Sequence, residues 1–164
     1  MSNPEVDQLY NILNADAVTP ATLEGLKDFN ADTKNQLVAR VAGTLEPPPS
    51  GKVLARLPLI LTDQNKANMT TAFLVNLGSP YSDARKASLY GLQKLQYPTI
   101  AEIALNALRD NNDQVVAAAC DLLLPTAKQD PQLWQLLQQL YALHKDDERF
   151  YLSKTLLEAH DILK

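Results

Sequence analysis

Apolar residues recur three and four positions apart through most of the chain, and no stretch shows the convincing two-residue alternation of a half-buried strand. The first stripe is Val6, Leu9, Tyr10 and Leu13, preceded by Asn3-Pro4-Glu5. A cap residue, a proline at the first helical position and an acid beside the positive helix end together predict a helix over about 4–14. Thr19-Pro20 repeats the device ahead of Leu23, Leu26 and Phe29, and Asn30-Ala31-Asp32 reads as a turn and cap before Leu37, Val38, Val41 and Leu45. The run Glu46-Pro47-Pro48-Pro49-Ser50-Gly51 then breaks the pattern. Consecutive prolines offer no amide donors and favour extended backbone, so this is a stiff linker or a hinge and the only extended segment expected.

Beyond the break, Val53 to Leu61 reads as a buried helix ended or kinked by Pro58. Asn65 to Leu77 reads as a helix with Met69, Ala72, Phe73 and Leu77 inward, closed by Gly78 in the left-handed conformation. Ser82 is the expected cap of the next helix. Thr99 and Glu102 form an expected capping box for a helix to Arg109, and Asn112 caps one ending before Pro125. Asp130-Pro131 opens a helix to His144, and Asp146 or Asp147 opens the last, to about Ile162. The count is nine or ten helices in an all-α chain.

The helix over 131–144 shows why such elements must stack. Leu133, Leu136, Leu137, Leu140 and Leu143 share one face, with Gln135, Gln138 and Gln139 opposite. Burying each leucine gains roughly 1.5–3 kcal/mol, against roughly 1–2 kcal/mol of backbone entropy per ordered residue. The helix therefore requires neighbours on its apolar face. A recurrence points the same way: SDARKASLYGLQKL at 82–95 and NDQVVAAACDLLL at 112–124 both read as an aspartate-bearing polar start, a small or β-branched residue, an alanine-rich middle and a leucine end.

On those residues the chain resembles the HEAT-like repeat proteins, whose second helix opens with an aspartate followed by Val-Arg, small residues and a leucine. Asp83, Ala84, Arg85, Ala87, Ser88 and Leu92 fit this pattern, as do Asp113, Val115, Ala118, Ala119 and Leu123 with Val116 in the arginine place. Asp147 to Leu157 and Asp32 to Leu45 fit more loosely. The resemblance covers mainly residues 65–164, and residues 1–64 depart from it in spacing and in the proline run. It implies stacked antiparallel helix pairs forming a short α-solenoid, one domain over 1–164 with the proline-rich break at 46–51. Most such proteins hold protein partners, while some attach bilin chromophores to phycobiliproteins and others excise alkylated DNA bases.

Composition narrows the classes. With 46% apolar and 21% charged residues the chain is an ordinary globular one, which argues against disorder as its general state. The single cysteine, Cys120, excludes an intramolecular disulfide and a cysteine-cluster zinc site, and sits among alanines like a core residue. No window holds the roughly 20 apolar residues of a membrane span and no secretory leader opens the chain, so a cytoplasmic protein without membrane contact is expected. The net charge of −4 argues against a nucleic-acid partner. That charge is uneven: residues 1–50 carry three bases and seven acids, residues 51–100 six and two, and residues 101–164 six and ten. The middle is the basic region.

Candidate chemistry is sparse. Ser50-Gly51-Lys52 lacks the earlier glycine and the following hydroxyl of a phosphate loop, since Glu46 and Val53 stand in those places. His144 and His160 fall near helix C-termini, where an imidazole meets the negative helix end, and no ligand spacing joins them. Ser153 has no motif around it, and Asp146, Asp147 and Glu148 suit a helix N-terminus rather than a calcium loop. No cofactor is implied. What stands out is a line on the helix after Ser82: with Ala84, Ser88, Leu92 and Leu95 inward, Lys86, Tyr90, Gln93 and Lys94 point outward, and Tyr97 continues the line. Lys86, Tyr90, Lys94 and Tyr97 form the expected contact surface for a protein partner of acidic character. The expected role is a non-catalytic scaffold or adaptor; the alternatives are a subunit of the bilin-lyase kind and a permanent component of a larger assembly.

Overall fold

The computed structural model describes residues 3–43, 45 and 47–144, with the side chains of Leu140, Tyr141, Leu143 and His144 outside that description. Among the described residues there are nine α-helices, two 3₁₀ turns and no strand. They are α1 (Pro4–Leu13), α2 (Pro20–Gly25), α3 (Ala31–Ala42), α4 (Gly51–Arg56), α5 (Lys66–Asn76), α6 (Ser82–Lys94), α7 (Ile100–Ala107), α8 (Asp113–Ala127) and α9 (Pro131–His144), with the 3₁₀ turns at Leu26–Asp28 and Leu57–Ile60. The expected last helix, with Ser153, His160 and the acids at 146–148, lies outside the described residues. The helices group into two compact units, Met1–Tyr97 and Pro98–Lys164.

In the first unit helices pack against their second neighbours in sequence. α1 meets α3, α3 meets α5 and α4 meets α6, while α5 with α6 and α1 with α4 join the two rows. This two-row arrangement is compatible with a helical repeat. Leu9, Leu37, Leu54, Leu57, Met69, Phe73 and Leu92 are fully buried between the rows. Each fully buried side chain of this kind contributes about 1.5–3 kcal/mol. Polar ties fix the register at the edge of the α1–α3 contact: Arg40 Nη1 donates to Asp7 Oδ1 at 2.7 Å and Thr33 Oγ1 to Glu5 Oε2 at 3.0 Å.

The proline run 46–51 lies inside this unit, and its final residue is not extended. Ser50 is the α4 cap, its Oγ accepting from Val53 N, and Gly51 is the first helical residue. Pro58 does act as expected, marking the change from α-helix to the 3₁₀ turn. The chain then turns on Asn65, which is 1% exposed. Its Nδ2 donates to Ile60 O at 2.9 Å and its Oδ1 accepts from Thr62 N at 2.9 Å. Asn65→Ala removes the partner of buried Ile60 O and of the part-buried Thr62 N–H, at about 1–3 kcal/mol for a group left unsatisfied. A urea midpoint unchanged by that substitution would contradict this reading of the turn.

Helix ends depart from several sequence expectations, each for a local reason. Ser82 is helical, and the cap position belongs to Tyr81, whose side chain makes no cap bond; the turn ahead of it is held by Ser79, whose Oγ accepts from Tyr81 N and whose carbonyl accepts from Arg85 Nη1. Thr99 occupies the α7 cap at ψ 26° rather than in the extended backbone that aims a cap oxygen at the following amides, so the capping box does not form. Gly78 is not left-handed either, since no described glycine has a positive φ.

The left-handed residue is Gln96, at φ 56°, where α6 stops. Its N–H donates to Gln93 O at 2.9 Å and that of Tyr97 to Leu92 O at 3.0 Å, a paired closure normally made by glycine. Gln96→Gly removes a left-handed cost of about 1–2 kcal/mol and adds about 0.5–1 kcal/mol of chain entropy, so a net stabilisation of about 0.5–1 kcal/mol is expected in a urea melt.

The second unit is described through α9. α8 packs against α7 and against α9, and is correspondingly apolar on most sides, with Val115, Val116, Ala119, Cys120, Leu123 and Leu124 among its buried residues. It does not end before Pro125: the helix continues to Ala127. Proline at an exposed position removes one helix bond, and buried Leu124 and Ala127 hold the last turn in place.

Candidate functional site

The site grows from the way α4 is pinned between α1 and α6. Ser50 Oγ donates to Asn14 Oδ1 at 2.8 Å, tying the start of α4 to the end of α1. Arg56 Nη1 donates to Leu13 O at 2.9 Å and also to Ala15 O, satisfying carbonyls where α1 ends and setting a cation at its negative pole. Lys52 Nζ lies 2.5 Å from Asp16 Oδ1, and this hydrogen bond with its charge holds the Asp16 carboxyl below the usual carboxylate range. Gly51 supplies the contact with α6. A Cβ placed there would stand 2.7 Å from the backbone carbon and side chain of Asp83, so the two helices start in a contact that only glycine permits.

From that contact the α4–α6 seam opens into a groove of about 540 Å³. Leu54, Ala55 and Pro58 line one wall, and Ala87 and Gly91 give the other its apolar part. The charged lining is Lys52, Arg56, Lys86 and Lys94 against the single acid Asp83, with Tyr90 between the two lysines of α6. The apolar trough is thus bordered by four cations and one anion, with Lys52 paired to Asp16 and Arg56 bonded to the carbonyls at the end of α1.

The sequence line along α6 meets this geometry in part. Lys86, Tyr90 and Lys94 all face the groove. Lys86 and Tyr90 are half-buried, held by interactions of their own, and Lys94 is exposed. Tyr97 is not among the lining residues; it closes the α6 stop. The expected inward set, Ala84, Ser88, Leu92 and Leu95, is buried, and Ser88 satisfies its hydroxyl on Ala84 O at 2.7 Å. Sequence reading missed the α4 wall altogether. Its one signal was Gly91 inside an expected helix, where glycine costs about 1 kcal/mol relative to alanine and so marks a close approach.

Other candidates offer less. Cys120 is buried, and burial with Asp121 beside it pushes its thiol up to about 12. Alkylation in the folded protein at mildly alkaline pH is expected to be negligible and to become rapid on unfolding; labelling at equal rates in both states would contradict the packing of α8. No cluster of metal-ligating side chains occurs among the described residues, and no described helix is long and apolar enough to cross a membrane. Compared with protein-family models, with curated proteins and with solved structures, the chain has no significant match in any of the three.

Proposed function

We propose that this protein is a non-catalytic binding module of the HEAT-like kind, which holds an acidic protein partner in the groove between α4 and α6. The observation that carries the reading is the groove lining: four basic side chains and one acidic one around an apolar trough, in a chain whose net charge is −4. A positive groove on an acidic protein selects its partner by sign. Ala55 and Pro58 supply accessible apolar surface for the short-range part of the affinity, and Tyr90 is of a residue type enriched at the energetic centres of such contacts.

The reading is tested by affinity capture from the native source at low and at raised ionic strength, with mass spectrometry of what is retained. Acidic proteins held at low salt and released as salt rises are the expected result. Retention that is indifferent to salt, or of basic proteins only, would overturn it.

A further inference from the structure

Resting on that reading of the groove, we infer that its occupant is an extended segment carrying an acidic, an apolar and an acidic residue at alternate positions. Lys86 and Lys94 are two residues of one continuous α-helix, eight positions apart, so their backbone positions are separated by about 12 Å along its axis. Tyr90 stands midway, and the apolar lining formed by Ala87 and Gly91 of α6 with Leu54, Ala55 and Pro58 lies beside it. Beyond Asp83 at its start, the order of features along the α6 wall of the groove is therefore cation, apolar, cation.

A strand rises about 3.3 Å per residue and sends alternate side chains to one face. In such a segment the first and fifth residues stand about 13 Å apart on the same face, and the third lies between them on that face. Carboxylates at the ends reach Lys86 and Lys94 while the middle side chain enters the apolar trough. A helical guest meets the two lysines only with acids eight residues apart, a register that an acidic, apolar, acidic sequence at alternate positions does not offer. Nucleic acid carries no aliphatic side chain for the trough, which favours a polypeptide.

The test uses the full chain and two synthetic fluorescent peptides of identical composition, read by anisotropy. One has glutamate, leucine and glutamate at alternate positions among serines; in the other the leucine is moved to the neighbouring position, so that it faces away. The alternating peptide is expected to bind about tenfold more tightly, a difference set by one buried apolar side chain. Ala55→Trp, at an exposed lining position, should abolish this preference by filling the trough, and Lys86→Glu with Lys94→Glu should weaken both peptides. Equal affinity of the two peptides would overturn the alternate spacing and leave acidic docking standing. Binding unaffected by the lysine reversals would overturn the groove as the site. Displacement of the bound peptide by a single-stranded oligonucleotide of equal charge would overturn the assignment of a polypeptide guest.

Discussion

Gly91→Ala is expected to destabilise the first unit, although alanine is the better helix former. A Cβ at Gly91 would lie 2.4–2.6 Å from three ring carbons of Phe73, and that ring is 0% exposed, so it must shift within the core to make room. Overpacking of this kind costs about 1–3 kcal/mol, against about 1 kcal/mol gained by replacing glycine within a helix. The net loss should reach up to about 2 kcal/mol, seen as faster hydrogen exchange of the α5 and α6 amides. The contact is pairwise, so the sign should reverse when the ring is removed. In a Phe73→Leu background the same Gly91→Ala change should stabilise by up to about 1 kcal/mol, since only the helix preference remains. A loss of equal size in both backgrounds would show that Phe73 is not what requires glycine there.

The second large effect concerns association. Lys86→Glu with Lys94→Glu changes the groove lining from four bases and one acid to two bases and three acids. Association with an acidic partner should slow by about tenfold or more at low salt, because steering depends on the sign of the field at the entrance. The difference should shrink as the screening length falls from about 10 Å at 0.1 M to about 3 Å at 1 M salt. Tyr90→Ala should act on the other rate. Removing a half-buried aromatic side chain from the centre of the groove should raise dissociation by about tenfold or more and leave association nearly unchanged. An unchanged association rate for the double reversal would place the partner elsewhere.

Local order in this chain was legible because it is written in local signals. Asn3-Pro4, Thr19-Pro20, Asn30 and Asn112 all cap the helices they announce. The inward set of α6 follows from helical spacing alone. Helix ends were less legible where tertiary packing outweighs a terminal signal: Pro125 sits inside α8 because the residues around it are buried, and Gln96 takes the left-handed place in which glycine was expected two helix ends earlier. The groove was half legible. Lys86, Tyr90 and Lys94 lie on one helix and share a line by arithmetic, whereas Lys52, Ala55 and Arg56 reach them only because α4 crosses to α6 past an intervening helix. Periodicity carries no information about such a pairing. Tyr97 was placed on the line by continuing the helix three residues past Lys94, through a stop that turns the backbone at Gln96.

A partner held in the seam between α4 and α6 must shield the amides of both helices. Hydrogen–deuterium exchange of the full chain, alone and with the captured acidic partner at saturating concentration, tests it most directly. Protection is expected to concentrate in Gly51–Arg56, the turn that follows it, and Ser82–Lys94, and to fall at raised salt. Protection confined to Asp113–Ala127 and Pro131–His144, with α4 and α6 exchanging as in the free protein, would contradict it.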